Sequence, residues 1–128
     1  MLAWTLICIM HLVHIEAKIT HNDLTENNIL LHFPPNDVKI VYIGVCDWGI
    51  GSRVVEMKSS NYHNKSEADC EDQRAKRPAI APELFFVYGE RNDPKRNFDT
   101  MRKEHPHTLV SDAYLVGWLA KGIFQDKT

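Results

Sequence analysis

Three short strings hold the side chains most suited to chemistry: His21-Asn22-Asp23-Leu24-Thr25-Glu26-Asn27-Asn28, Asp47-Trp48-Gly49 and, much later, Asp112-Ala113-Tyr114-Leu115-Val116-Gly117. The first two supply hard oxygen atoms, the donors a magnesium ion prefers, with few protein ligands and the rest from phosphate or water. A carboxylate in such a group can also orient an incoming hydroxyl and accept its proton. Side chains of this kind suffice for transferring a phosphoryl group, which needs positioned metal, an aligned nucleophile and charge stabilisation more than covalent help.

The elements around the strings must bring them together. Ile29, Leu30 and Leu31 form a short apolar run suited to a buried strand. Phe33-Pro34-Pro35-Asn36-Asp37 is a turn signal. Val38 to Val45 is rich in β-branched and aromatic residues and reads as the partner strand. The ends of such a hairpin converge, so the polar loop before it and Asp47-Trp48-Gly49 after it should lie side by side. Ahead of the loop, Leu6, Ile9, Met10, Val13 and Ala17 recur at offsets of three and four within a helix from residue 2 to about 18. Leu2, Ile7 and Leu12 widen its apolar face, so this helix is expected to be well buried.

Further along, residues 52 to 76 are polar and without period, the pattern of a surface loop. Pro82 and Glu83 open a short helix over residues 82 to 88 that Gly89 should stop. Residues 90 to 107 read as a second loop, with Arg91, Lys95, Arg96, Arg102 and Lys103 interleaved with acids. A last helix, capped by Ser111 or Asp112, carries Leu115, Val116, Leu119, Ala120 and Ile123 around more than half its circumference.

The first string resembles the catalytic loop of eukaryotic-type protein kinases, H-R-D-L-x-x-x-x-N followed by apolar residues. Asp47-Trp48-Gly49 resembles their D-F-G motif, Ala81-Pro82-Glu83 the A-P-E motif, and the string from Asp112 to Gly117 the start of the helix at the centre of the large lobe. None is specific alone; four in family order, each in its expected setting, are specific together. The resemblance covers about residues 2 to 124. It implies an α+β fold, a kinase-like large-lobe fragment that is mainly helical with a small β-hairpin. It also implies ATP and Mg2+ as cofactors, with Asp23 as catalytic base and Asn28 and Asp47 as the metal and nucleotide ligands. His21, Trp48, Gly49 and Glu83 would support the site, and Asp112 would hold the backbone N–H groups of the catalytic loop.

The chain also departs from the pattern. Asn22 stands in place of the arginine that in many kinases pairs with a phosphorylated activation segment, and an uncharged amide cannot make that bidentate contact. Thr25 replaces a lysine that meets the γ-phosphate, and Lys76 and Ala79 leave serine/threonine against tyrosine specificity undecided. No glycine-rich loop or V-A-I-K strand precedes the catalytic loop in these residues, and the string ends within the central helix. The resemblance thus implies a partial domain that transfers phosphate to protein hydroxyls if complete and is inactive or weak as this fragment. Two other readings compete: a pseudokinase or truncated interaction module, and a small-molecule kinase of the aminoglycoside or choline type. The Ala81-Pro82-Glu83 and Asp112 to Gly117 strings argue against the latter. An apolar last helix with few neighbours should leave an exposed apolar patch.

The remaining features read as structural. His11 and His14 lack acid or cysteine partners nearby in sequence, and His105 and His107 flank a proline in a loop, where solvation is expected. Cys8, Cys46 and Cys70 fit no zinc spacing and read as reduced thiols, that of Cys46 buried and inert. Ser52, Ser59, Ser60, Tyr62 and Ser66 lie where an activation segment can be phosphorylated. With 128 residues, 44% hydrophobic and 25% charged, the chain is one globular domain of net charge −2, and nothing in the total points to nucleic acid or to a membrane surface. The apolar start lacks a basic leader and a cleavage site, and falls short of the ~18–20 residues that span a bilayer. A cytosolic or nuclear protein with a protein substrate or partner is the expectation.

Overall fold

The computed structural model describes residues 2–36, 42–88 and 98–125. Helix α1 (Leu2–Leu12) runs on through a π-helical turn (Val13–Ala17) that ends where Lys18 takes a left-handed conformation, φ 54°. Strand β1 (Ile19–Thr20) and a 3-10 turn (Glu26–Asn28) flank the loop of the first string, and β2 (Ile29–His32) and β3 (Tyr42–Val45) form the hairpin. Then come β4 (Ser52–Arg53), a 3-10 turn (Val54–Glu56), β5 (His63–Asn64), α2 (Glu67–Lys76), a 3-10 turn (Pro82–Leu84), β6 (Phe86–Val87), α3 (Phe98–Glu104) and α4 (Leu109–Gln125). The fold is α+β, and the described residues form three two-stranded sheets: β1 antiparallel to β4, β2 antiparallel to β3, and β5 parallel to β6.

The core sits between α1 and α4. Leu6 and Met10 of α1 meet Leu115, Val116 and Leu119 of α4, and Leu24 of the loop inserts between them. That insertion matters for position: it fixes the residue beside Asp23 to the two longest helices. Ile29, Val45, Trp48, Ala79 and Ile80 pack against the same cluster, so the hairpin and the residues before Pro82 rest on one floor.

Several expectations are corrected. Helix α1 is buried only along Ala3, Leu6, Met10 and His14, while Leu12, Ile15 and Ala17 are exposed, because α4 covers one side of it. Strand β2 is not buried: Leu30 and Leu31 are exposed, and among the described residues of the hairpin Ile29 and Val45 are the ones packed against the core cluster. Residues 52 to 76 are no loose loop. Ser66 accepts the N–H of Asp69 and caps α2, and Ser60, Asn64 and Cys70 are buried. The expected helix from residue 82 is one 3-10 turn followed by β6, because the Phe86 N–H donates to the Tyr62 carbonyl and draws the chain into a sheet. The second loop contains α3. Residues 38–41 of the partner strand, the stop at Gly89, and Arg91, Lys95 and Arg96 lie outside the described residues. Cys46 is only half-buried rather than buried.

Helix α4 begins two residues before the expected cap. Thr108 and Ser111 exchange bonds: the Ser111 N–H donates to Thr108 Oγ1 at 3.1 Å and the Thr108 N–H to Ser111 Oγ at 2.8 Å. This reciprocal pair satisfies two of the donors a helix start leaves free. Thr108→Ala is expected to lower stability by about 1 kcal/mol, read as a shift of the urea midpoint at constant slope. Along the other side of α4, Val110, Tyr114 and Trp118 are exposed at intervals of four. Among the described residues no helix is long and apolar enough to cross a membrane.

Candidate functional site

The loop from His21 to Asn28 is held from below by one carboxylate. Asp112, 1% exposed in the first turn of α4, accepts the His21 N–H on Oδ2 at 3.0 Å and the Asn22 N–H on Oδ1 at 2.8 Å. Its Oδ2 also meets His14 Nε2 at 2.6 Å. Burial alone would push the Asp112 carboxyl up; the bonds from His14, Asn22 and His21 together outweigh it and hold the group below its ordinary range. His14 is the residue that sequence reasoning missed. The available signal was its place four residues after Met10 on the buried stripe of α1, where an imidazole needs a partner.

His21, completely buried, ties the loop to the far end of the hairpin. Its Nδ1 accepts the Asp23 N–H at 3.2 Å, so the ring proton sits on Nε2, which donates to the Cys46 carbonyl at 2.8 Å. Trp48 lies against the same ring at 4.5 Å and donates its indole N–H to the Val45 carbonyl. The Asn28 carbonyl accepts the Cys46 N–H at 2.9 Å, and the Asn28 amide NH2 donates to the Asp23 carbonyl at 2.7 Å. The latter bond fixes the amide flip and leaves Oδ1 as the atom available to a cation. Asp47 follows in a left-handed conformation, φ 60°, with an exposed side chain. Aspartate tolerates that region better than most residues.

The backbone at 23, 28 and 46 is thus hydrogen-bonded into one unit, and Asp47 projects from its edge. Asp23 also borders a cavity of about 340 Å³ with Ile80 and residues of α4, which neither Asn28 nor Asp47 lines. Glu83 is exposed; its carbonyl accepts from His105 Nδ1 at 2.8 Å. Gly49 is exposed beside Asp47. Among the described residues no three His, Cys, Asp or Glu side chains gather as a metal-binding group; the pair suggested by sequence combines an acid with an amide.

Asn22 takes φ 70° and is buried. Its amide donates to the Ile50 carbonyl at 3.0 Å and to Ser52 Oγ at 3.2 Å, while its Oδ1 has no partner among the described residues. The start of the segment after Gly49 is therefore pinned to the loop by neutral bonds, reinforced by Thr20 Oγ1 on Ser52. Gly51 is required there, since a Cβ would come within 2.8 Å of the Thr20 carbonyl. Of the hydroxyls proposed for phosphorylation, Ser52 and Ser60 are buried in such bonds, whereas Ser66 is exposed.

His107 is not solvated as expected: it is buried, with its backbone N–H on the Lys58 carbonyl, whereas His105 is half-exposed and stacks on Phe86 at 4.8 Å. Burial holds the His107 imidazole below its ordinary 6.5, with Asp112 pulling it up and Lys58 pushing it down. The folded chain then binds fewer protons there than the unfolded chain. Stability from this group is full above pH 6.5 and drains as pH falls toward the depressed value. We expect the melting temperature to drop as pH falls below 6.5, and His107→Gln to flatten that part of the profile.

Comparison with family models, with curated proteins and with solved structures found no match for this chain.

Proposed function

We propose that this chain is a protein kinase-like domain, built for ATP- and Mg2+-dependent phosphoryl transfer to a protein hydroxyl. The observation that carries the reading is the Asp112 carboxylate binding the N–H groups of His21 and Asn22 from ninety residues away while His21 grips Cys46. Such a scaffold has a use if the groups it positions, at residues 23, 28 and 47, must be held still. In this reading Asp47 and Asn28 Oδ1 hold magnesium, and the donor chemistry fits: one exposed carboxylate and one amide oxygen whose flip is fixed. Bound magnesium would supply charge neutralisation on phosphate oxygens. Asp23 orients the acceptor hydroxyl and takes its proton, held in place by Leu24 in the core and by the His21 ring. Asn22 keeps the segment after Gly49 engaged without a phosphate, so activity would not be switched through residue 22.

Calorimetric titration with ATP in the presence and absence of magnesium tests this. Binding that requires magnesium is expected; equal or absent binding in both would remove the reading. A partner-binding module without catalysis is the second reading, favoured by the exposed Val110, Tyr114 and Trp118 on α4, and absent nucleotide binding would leave it standing.

A further inference from the structure

A second cavity, of about 440 Å³, lies between the end of α2 and β5, apart from the loop of the first string. It is bordered by Gln73 and Arg77 on the side of α2 and by Asn61, His63 and Asn64 on the side of β5. All five residues carry side-chain N–H donors, and no aspartate or glutamate borders the space. Tyr62 and Phe85 complete it, their rings 5.2 Å apart, and the Arg77 guanidinium stands 5.8 Å from the Tyr62 ring centre. Among the described residues Arg77 has no carboxylate partner; the ion pairs lie elsewhere. Asn64 is 8% exposed, and its NH2 donates to the Tyr62 carbonyl at 3.3 Å. That bond fixes the amide flip and leaves a second N–H on the same nitrogen.

Donors gathered without an acid suit an anion, but two fields compete there. The C-terminal end of a helix carries roughly half a negative charge, and α2 ends beside the cavity. Arg74, Lys76 and Arg77 place three full positive charges in or just after that last turn, and only Lys76 is paired, with Asp72 at 2.9 Å. The positive side therefore prevails, and the first-turn acids Glu67 and Asp69 stand at the opposite end of the helix. The donors also choose among anions. A carboxylate offers two oxygens, whereas a phosphomonoester offers three and close to two negative charges near neutral pH. A guanidinium matches phosphate bidentately. The space holds roughly fifteen waters, so the carbon that carries the phosphate also has room.

We propose that the cavity between α2 and β5 is a binding site for a phosphomonoester, held by Arg77 and by the carboxamides of Asn61, Asn64 and Gln73. The site goes beyond the phosphotransferase reading and does not depend on it: none of residues 23, 28 and 47 borders the space. Arg77 caps the end of α2, and Phe85 directly precedes β6, so an occupant ties α2 to the β5–β6 sheet and stabilises that part of the chain.

The test uses the full chain without nucleotide or magnesium, at constant ionic strength. The melting temperature is followed as inorganic phosphate, N-acetylphosphoserine amide or acetate is added. Phosphate and the phosphoserine derivative should each give a saturable rise, as a ligand of the folded state does, and acetate at the same concentration should give none. A derivative bound about tenfold tighter than inorganic phosphate would assign the site to a phosphorylated side chain, and equal affinity to the free anion. Arg77→Gln, at an exposed position, should weaken the binding of both by about tenfold or more, the worth of a hydrogen bond to a charged group. Gln73→Glu should abolish it by placing a carboxylate beside Arg77. Its own melting temperature should not fall, because glutamate forms helix as well as glutamine and pairs with a cation four residues on. An equal rise with acetate, no rise with either phosphate compound, or a rise unaltered in both variants would overturn the proposal.

Discussion

Replacing Asp112 with alanine should lower the stability of the chain by about 3–5 kcal/mol, the size expected when a buried charged acceptor is removed and its donors are left unpaired. Three donors lose their acceptor at once: His14 Nε2 and the N–H groups of His21 and Asn22. All three residues are buried, so water cannot replace the lost bonds cheaply. The loss is a large fraction of the ~5–15 kcal/mol that holds a typical domain together. Asp112→Asn keeps an oxygen but not the charge and should fall between wild type and alanine. Because its bonds depress the Asp112 carboxyl, the stability it contributes is present above the ordinary value of 3.8 and is lost as pH falls through the lower folded value. Wild type should therefore show an acid-labile component below about pH 4 that Asp112→Asn lacks. Urea unfolding of the three proteins across that range reads both effects. A change under ~1 kcal/mol in Asp112→Ala, below even the lower end expected for such a removal, would mean the loop is held by something else.

The second large effect concerns Asp47→Asn. The side chain is exposed and makes no buried contact that folding requires, and asparagine accepts φ 60° at least as readily as aspartate. Stability should therefore stay within ~0.5 kcal/mol, as for surface changes away from special features. Affinity for magnesium–ATP should nevertheless fall by at least ~10–100-fold, since losing even an outer partner of a metal ligand has that effect. Nucleotide titrations at fixed magnesium measure it. Asn28→Ala is a less clean companion, because it also removes the bond to the Asp23 carbonyl.

How much of this could be read from sequence depends on which force sets each element. The hairpin of β2 and β3 and the helices α1 and α4 follow from β-branched runs and apolar spacing, which the sequence displays; the register and the packing of α1 on α4 do not. The α2 helix was hidden because its charged residues carry no apolar period; Ser66 as a cap and the acids Glu67 and Asp69 in the first turn were the available signals. Residues 82 to 88 were misread because pairing of β6 with β5, a contact distant in sequence, overrode the local helix signal of Pro82 and Glu83. Strand β2 was expected to be buried from its composition, yet exposure depends on what packs against it, and the sequence does not show that. In the site, the place of Asp112 beneath the loop was legible through resemblance, whereas its bond to His14 was not. The left-handed conformations at Asn22 and Asp47, and the neutral link from Asn22 to Ser52, depend on tertiary contacts that no local pattern encodes.

The central claim is that side chains 28 and 47 share one cation with the nucleotide, beside Asp23. Paramagnetic broadening by Mn2+ with ATP, followed in the 15N–1H spectrum, tests it directly. The Asn28 side-chain NH2 and the backbone N–H groups of residues 46 to 48 should broaden first, and Asp47→Asn should remove the effect. Broadening centred elsewhere, or unchanged in Asp47→Asn, would contradict the account.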